Sequence, residues 1–334
     1  MREEKRMAES LTIRLLRTIE SPFDTPKQIG DGVESSELYE LAYKNKISLL
    51  YLQALEQQGK LERLRQQYEE EKARYATFRR ALCRTAKMLN QADINYVIYK
   101  TLRPYPAVPG DIDVLILGDE QMYNRAFVPF LEAGYKEAVR DGPSPTRGDL
   151  MDFAEGIPID LQQEVQLNYL IYMDKEKFKD KTRRISLNRE ADACVLVPEV
   201  DLAAVIIHSI TEQLYLLGEF YTTLYWLKEM SNAQVESFVR TVQRHKMTRA
   251  ARCHLSLTAA LHEAAFGNVP NKLAQVLTYI GIDRKEAERL AKSGFQTPHR
   301  YSVMTTLAIA WEKLGDRKFR KSTFTQLART LNPK

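Results

Sequence analysis

The segment Asp111-Ile112-Asp113-Val114-Leu115-Ile116 places two carboxylates two residues apart in a β-branched, apolar run. Side chains of an extended strand alternate between its faces, so Asp111 and Asp113 share one face while Ile112 and Val114 point into a core on the other. Two carboxylates about 7 Å apart along a strand are costly to bury unless a cation neutralises them. Ligand sets made only of oxygen favour Mg²⁺ or Mn²⁺ over zinc. A third carboxylate stands in Ile157-Pro158-Ile159-Asp160-Leu161, alone between apolar neighbours. If that segment lies beside the first strand, Asp160 completes a three-carboxylate site able to hold two divalent ions, one activating a hydroxyl and the other gripping a triphosphate. Asp149 and Asp152 compete for the third place and rank below Asp160, because the pattern puts them in a loop or edge strand.

The elements that must position these residues are read from periodicity. An apolar stripe over Leu11–Ile19 predicts a first helix ending before Ser21-Pro22. Ser35-Ser36 offers an N-cap, and helical spacing continues from Leu38 to Gly59. A long charged helix is expected over 61–89, its charge run being a solvated face. The period then changes. Tyr96–Tyr99 reads as a strand, followed by a loop with three prolines and Gly110, then a strand over Asp111–Leu117. Residues 119–133 read as a helix closed by Gly134. Short strands are expected at Tyr135–Val139, Leu150–Phe153 and Ile157–Leu161, with ordered segments at Arg183–Leu187 and Cys194–Val197. From Pro198 onward the pattern is helical. The division expected is a helical region over 1–90, a strand-rich core over 91–197 and a helical bundle over 198–334.

Taken in order, Tyr96-Val97-Ile98-Tyr99-Lys100, a Pro-rich loop, Asp111–Ile116, a helix and Ile159-Asp160-Leu161 resemble the nucleotidyltransferase superfamily of the DNA polymerase β type. More narrowly, they resemble the uncharacterised nucleotidyltransferase group with an "LKG … DIDLLV … VDLH" signature. The stretch Leu196–Leu202 leading to His208 is similar to that group's entry into its helical domain, so the resemblance covers roughly residues 90 to 230. It implies an α+β fold: a nucleotidyltransferase-like mixed β-sheet core with N-terminal helices and a C-terminal all-helical domain. It also implies Asp111 and Asp113 as metal ligands, with Asp160 as ligand and general base. The activity implied is transfer of a nucleoside monophosphate from an NTP such as ATP to an acceptor hydroxyl, with Mg²⁺ or Mn²⁺. The family's glycine-containing phosphate motif is replaced here by Lys100-Thr101-Leu102-Arg103, where Thr101 supplies a hydroxyl and Lys100 and Arg103 supply positive charge. Its closing His is also absent, the segment ending Asp160-Leu161-Gln162. The alternative reading is a catalytically degenerate module of this fold that binds nucleotide, nucleic acid or a protein partner.

Charge adds a second theme. Of the net charge of +5, the residues from Arg240 onward hold 18 basic and 6 acidic side chains, or +12, so residues 1–239 carry −7. Arg240, Arg244, Lys246, Arg249 and Arg252 recur at three- to four-residue spacing, which would let several share a helix face and contact RNA, such as a tRNA end. Arg317, Lys318, Arg320 and Lys321 form a second cluster. Arg240–His245 and Arg249–His254 fit an Arg-x4-His spacing similar to that of a ribonuclease family, and chance in an Arg-rich chain accounts for it. His208 is expected in the core and His245 on the surface.

Composition excludes other classes. No apolar run approaches the ~18 residues of a membrane span, and the mixed-charge N-terminus lacks the apolar stretch of a secretory leader. Three scattered cysteines, Cys83, Cys194 and Cys253, argue against a disulfide framework or a zinc site and for a cytoplasmic location.

Overall fold

A computed structural model describes residues 10–23, 34–137, 147–151, 155–167, 170–189 and 191–331. Four helices come first: α1 (Leu11–Ile19), α2 (Ser36–Lys44), α3 (Ser48–Gln57) and α4 (Arg65–Gln91). The strand-rich part follows with β1 (Tyr96–Ile98), β2 (Ile112–Ile116), two short helices α5 (Glu120–Arg125) and α6 (Val128–Glu132), then β3 (Lys136–Glu137), β4 (Arg147–Met151) and β5 (Pro158–Gln162). A hairpin of β6 (Val165–Leu167) and β7 (Leu170–Met173) precedes β8 (Thr182–Ser186) and β9 (Asp192–Leu196). The remainder contains α7 (Pro198–Thr211), β10 (Leu214–Tyr215), α8 (Leu217–Glu229), α9 (Asn232–Arg244), α10 (Thr248–Phe266), α11 (Asn271–Ile280), α12 (Arg284–Lys292), β11 (His299–Arg300), α13 (Val303–Lys313) and α14 (Arg317–Leu331).

Seven strands form one mixed sheet in the order β3-β4-β5-β2-β1-β9-β8. The β2–β5 and β1–β9 pairs are parallel and the others antiparallel. Alternation sends Tyr96, Ile98, Ile112, Val114, Ile116, Ile159 and Leu161 to one face, where they form a buried cluster with Phe78, Leu82 and Leu89 of α4 and Phe130 of α6. Val97, Tyr99 and Leu115 belong to the other cluster, which takes in α7, α8 and α10 together with α1, α2 and α3. The carboxylate-bearing positions of β2 and β5 therefore look toward the helices of the second half of the chain.

The expected helix over 38–59 is two helices. The chain turns at Asn45–Ile47, where Lys46 takes φ +58°. Asn45 holds the turn: its side-chain amide donates to Leu41 O at 2.9 Å and its side-chain oxygen accepts from Leu217 N at 3.0 Å. Its carbonyl accepts from Gly218 N, and a Cβ on Gly218 would lie 3.2 Å from that oxygen, a tight contact that glycine relieves. The 119–133 segment is likewise divided, between α5 and α6. The second half of the chain is not wholly helical, because β10 and β11 pair as a two-stranded ribbon. The expected strands at Tyr135–Val139 and Leu150–Phe153 correspond to β3 and β4, and residues 138–139 and 152–153 lie outside the described residues, Asp152 among them. No helix among the described residues is long and apolar enough to cross a membrane. The three cysteines are all free thiols.

Candidate functional site

The parallel register of β2 and β5 sets Asp113 directly beside Asp160. On the far side, the antiparallel register of β4 and β5 sets Asp149 beside Asp160. Tyr99 N donates to Asp113 O at 3.3 Å, so Tyr99, Asp113, Asp160 and Asp149 form a row across four neighbouring chain segments. Asp111 lies one residue before β2, on the same side as Asp113. Asp111, Asp113 and Asp160 each offer a carboxylate oxygen, and these three oxygens lie within 4.8 Å of one another. Asp113 is 4% exposed, Asp160 is fully buried and Asp111 is half-buried. The donor set fits a hard divalent cation: oxygen only, three carboxylates, converging from two adjacent strands. Asp149 is also buried, outside that group of three.

A polar network surrounds the carboxylates. Gln162, two residues along β5 and therefore on the same face as Asp160, donates to Asp160 Oδ2 at 2.7 Å and to Asp113 Oδ1 at 3.2 Å. Its own side-chain oxygen accepts from Tyr99 OH at 2.6 Å. Gln162 thus bridges two of the three carboxylates. The i+2 spacing from Asp160 is the sequence signal that puts Gln162 on the site face.

Lys100 supplies the local positive charge. Thr101 N bonds back to Tyr99 O at 2.6 Å, closing a γ-turn around Lys100, whose φ of +47° is unfavourable for a residue with a Cβ. The turn is held by Asp201 of α7, which accepts from Lys100 N at 2.7 Å and from Trp226 Nε1 at 3.2 Å. It brings Lys100 Nζ to 2.9 Å from Asp113 Oδ1. Burial pushes the Asp113 carboxyl up to about 7; the Lys100 ammonium opposes this, and the charges of Asp111 and Asp160 reinforce it. Burial also raises Asp201, against the pull of its bond from Lys100 N–H.

The other residues expected to grip phosphate have partners within the fold. Thr101 is buried, and its hydroxyl accepts from Asp113 N at 2.8 Å. The Arg103 guanidinium donates to Thr222 Oγ1 at 3.0 Å and lies 3.5 Å from Glu219 Oε1.

The five basic residues considered for nucleic-acid contact do not share one helix face. Arg240 and Arg244 end α9, Lys246 lies in the turn with φ +54°, and Arg249 and Arg252 belong to α10. Arg240 lies 3.5 Å from Glu236, Arg244 donates to Lys177 O at 3.4 Å, and Arg252 donates to Ile280 O at 2.6 Å. In the second cluster, Lys318 is paired with Glu164 and Asp174 and ties α14 to the β6–β7 hairpin. The Arg-x4-His pairs end in histidines that are not surface groups. His245 is 1% exposed against Phe178, and His254 is buried with Nε2 3.1 Å from Thr223 Oγ1. The core-and-surface expectation is reversed, with His208 only half-buried.

A search of protein-family models finds no match to this chain, and a search of curated proteins finds none.

Proposed function

We propose that the protein is a metal-dependent nucleotidyltransferase that moves a nucleoside monophosphate from an NTP to an acceptor hydroxyl and releases pyrophosphate. The observation that carries this reading is the convergence of Asp111, Asp113 and Asp160, with oxygens within 4.8 Å, on one face of a mixed sheet whose reverse face is apolar. The resemblance of the Tyr96–Lys100, Asp111–Ile116 and Ile159–Leu161 segments to the superfamily supports it. Asp111 and Asp113 would hold Mg²⁺ or Mn²⁺ with Asp160 as the shared third ligand. The bound ions would supply Lewis-acid charge neutralisation on the phosphates. In the reaction, the acceptor oxygen bonds to the α-phosphorus as the bond from that phosphorus to the bridging oxygen of the β-phosphate breaks. Asp160 takes or orients the acceptor's proton, and Gln162, donating to Asp160 Oδ2, fixes the rotamer in which it does so. The acceptor is a hydroxyl of RNA, of a protein or of a small molecule.

A second reading, a non-catalytic module binding nucleotide, nucleic acid or protein, has one observation in its favour. The Lys100 ammonium already sits against Asp113 and supplies a cation to the cluster from within the chain. One experiment separates the two. The protein is incubated with Mg²⁺ or Mn²⁺ and each labelled NTP, with and without bulk tRNA. The enzyme reading expects label transfer that falls at least about a hundredfold in Asp111→Ala/Asp113→Ala. Absence of NTP binding by calorimetry in the presence of metal overturns it.

A further inference from the structure

On the other side of β1 from the carboxylates lies a cavity of about 260 Å³, bounded by α4, the ends of β1, β8 and β9, the loop after β1, and the helices α7 and α8. Its apolar wall includes Ile98, Leu102, Ile185 and Val195, and its polar lining is Arg79, Arg103, Arg183, Asp201, Trp226 and Glu229. Three guanidinium groups from three separate elements converge on one partly enclosed space, and their chemistry selects an anion.

The existing contacts show which groups are committed. Arg103 is held by Thr222 and Glu219, and Asp201 by Lys100 N and Trp226 Nε1. Arg79 uses one donor on Leu187 O at 2.6 Å, and Arg183 lies over the Trp226 ring at 5.8 Å. Among the described residues neither Arg79 nor Arg183 forms an ion pair with a carboxylate. Glu229 is the acidic side chain of the lining not tied to a described neighbour; it is exposed, as is Arg183, whose charge also acts on Asp201. A guanidinium presents several donors in a planar fork matched to phosphate oxygens, and an apolar wall with a few convergent charged groups is the usual make-up of a small-molecule site.

We propose that this cavity binds an organic phosphate, its phosphate held by Arg79 and Arg183 and its apolar or ring portion against Ile98, Ile185 and Val195. The site needs no metal and does not depend on the nucleotidyltransferase reading. Because Asp201 both lines the cavity and holds the Lys100 turn, an occupant there bears on the position of Lys100 against Asp113.

Trp226 gives a direct readout. The chain has two tryptophans, and the other, Trp311, is 78% exposed on α13, so Trp311→Phe leaves Trp226 as sole reporter. That protein is titrated in EDTA with AMP and, separately, with inorganic phosphate, while its emission is followed. EDTA removes metal-dependent donor binding at the carboxylates, so failure of this site and failure of the proposed activity are seen separately. The expected result is a saturable change with AMP, weaker with phosphate alone, whose dissociation constant rises about tenfold or more in Arg183→Ala at unchanged thermal stability. A second variant, Arg79→Lys, keeps the charge and loses the fork, and is expected to weaken binding less than Arg183→Ala. No Trp226 response to either probe overturns the proposal, and so does a response that Arg183→Ala leaves unchanged.

Discussion

Lys100 occupies a position that costs backbone strain and is kept there by two carboxylates, Asp201 at its N–H and Asp113 at its ammonium. An ammonium 2.9 Å from one of three clustered carboxylates stands where a ligand ion would compete for charge. Lys100→Met would leave Asp113 buried without its cation, and stability in EDTA is expected to drop by about 1–3 kcal/mol. The same variant, relieved of the competing charge, is expected to bind Mn²⁺ several-fold more tightly by calorimetry. Weaker Mn²⁺ binding in Lys100→Met would mean that the lysine supports the ion instead of opposing it. At this scale the sequence showed the three carboxylates, because alternation along a strand is strictly local. It did not show Lys100 or Gln162 in their roles. Lys100 depends on a γ-turn fixed by a residue 101 positions away, and Gln162 acts across two strands.

Between α9 and α10 the chain turns through His245, Lys246 and Met247, and the turn buries an imidazole. Its Nδ1 has no hydrogen-bond partner among the described residues, and its ring packs against Phe178. Burial, then the ammonium groups of Lys313 on α13 and Lys177 after β7, push His245 down to about 4, against smaller opposing effects of Asp316 and Asp174. His254, within α10, is lowered to about 3, by burial first and then by Arg103. Both histidines are therefore neutral in the fold and take a proton more readily when unfolded. Their contribution is fully present above the ordinary histidine value of about 6.5 and is lost as pH falls through that value toward the folded one. Each contributes up to about 1.4 kcal/mol per pH unit in that window. Urea unfolding of His245→Gln between about pH 6.5 and 5 should show a slope shallower by that amount. An unchanged slope would place the imidazole in solvent. Periodicity marked the chain after Pro198 as helical but did not show the breaks at Lys46 and Lys246, where left-handed lysines sit without a glycine to mark them. The β6–β7 hairpin was missed too, because its strands are three and four residues long and are anchored from α14.

Across the whole molecule, the two ends of the chain build one core. Arg17 donates to Ala265 O at 2.8 Å, Ser21 Oγ lies 2.8 Å from His262 Nε2, and Thr12 Oγ1 lies 3.2 Å from Thr297 Oγ1. Leu15, Leu16, Leu38, Leu52 and Leu55 are all fully buried in the cluster that contains α7, α8 and α10. Each such side chain contributes roughly 1.5–3 kcal/mol through burial, and a typical domain has only about 5–15 kcal/mol of net stability. Removal of residues 1–60 is therefore expected to abolish cooperative unfolding and near-ultraviolet circular dichroism in the remainder. A truncated chain that still melts cooperatively would show the second half to be self-sufficient.

What local pattern determined was the segments that form β1 to β5, β8 and β9, the single face shared by Asp111 and Asp113, and the acidic front and basic rear. Alternation, helical spacing and net charge are properties of neighbouring residues and need no knowledge of what packs where. Tertiary structure alone set Asp160 in register beside Asp113 and the Lys100 ammonium 2.9 Å from Asp113 Oδ1. It also decided that the basic residues near 240–252 divide between two helices and that α1–α3 pack into the second half of the chain. Each of these depends on strand pairing or packing between residues tens to hundreds of positions apart. Burial of apolar surface selects those pairings for the whole chain at once, and no local window contains them.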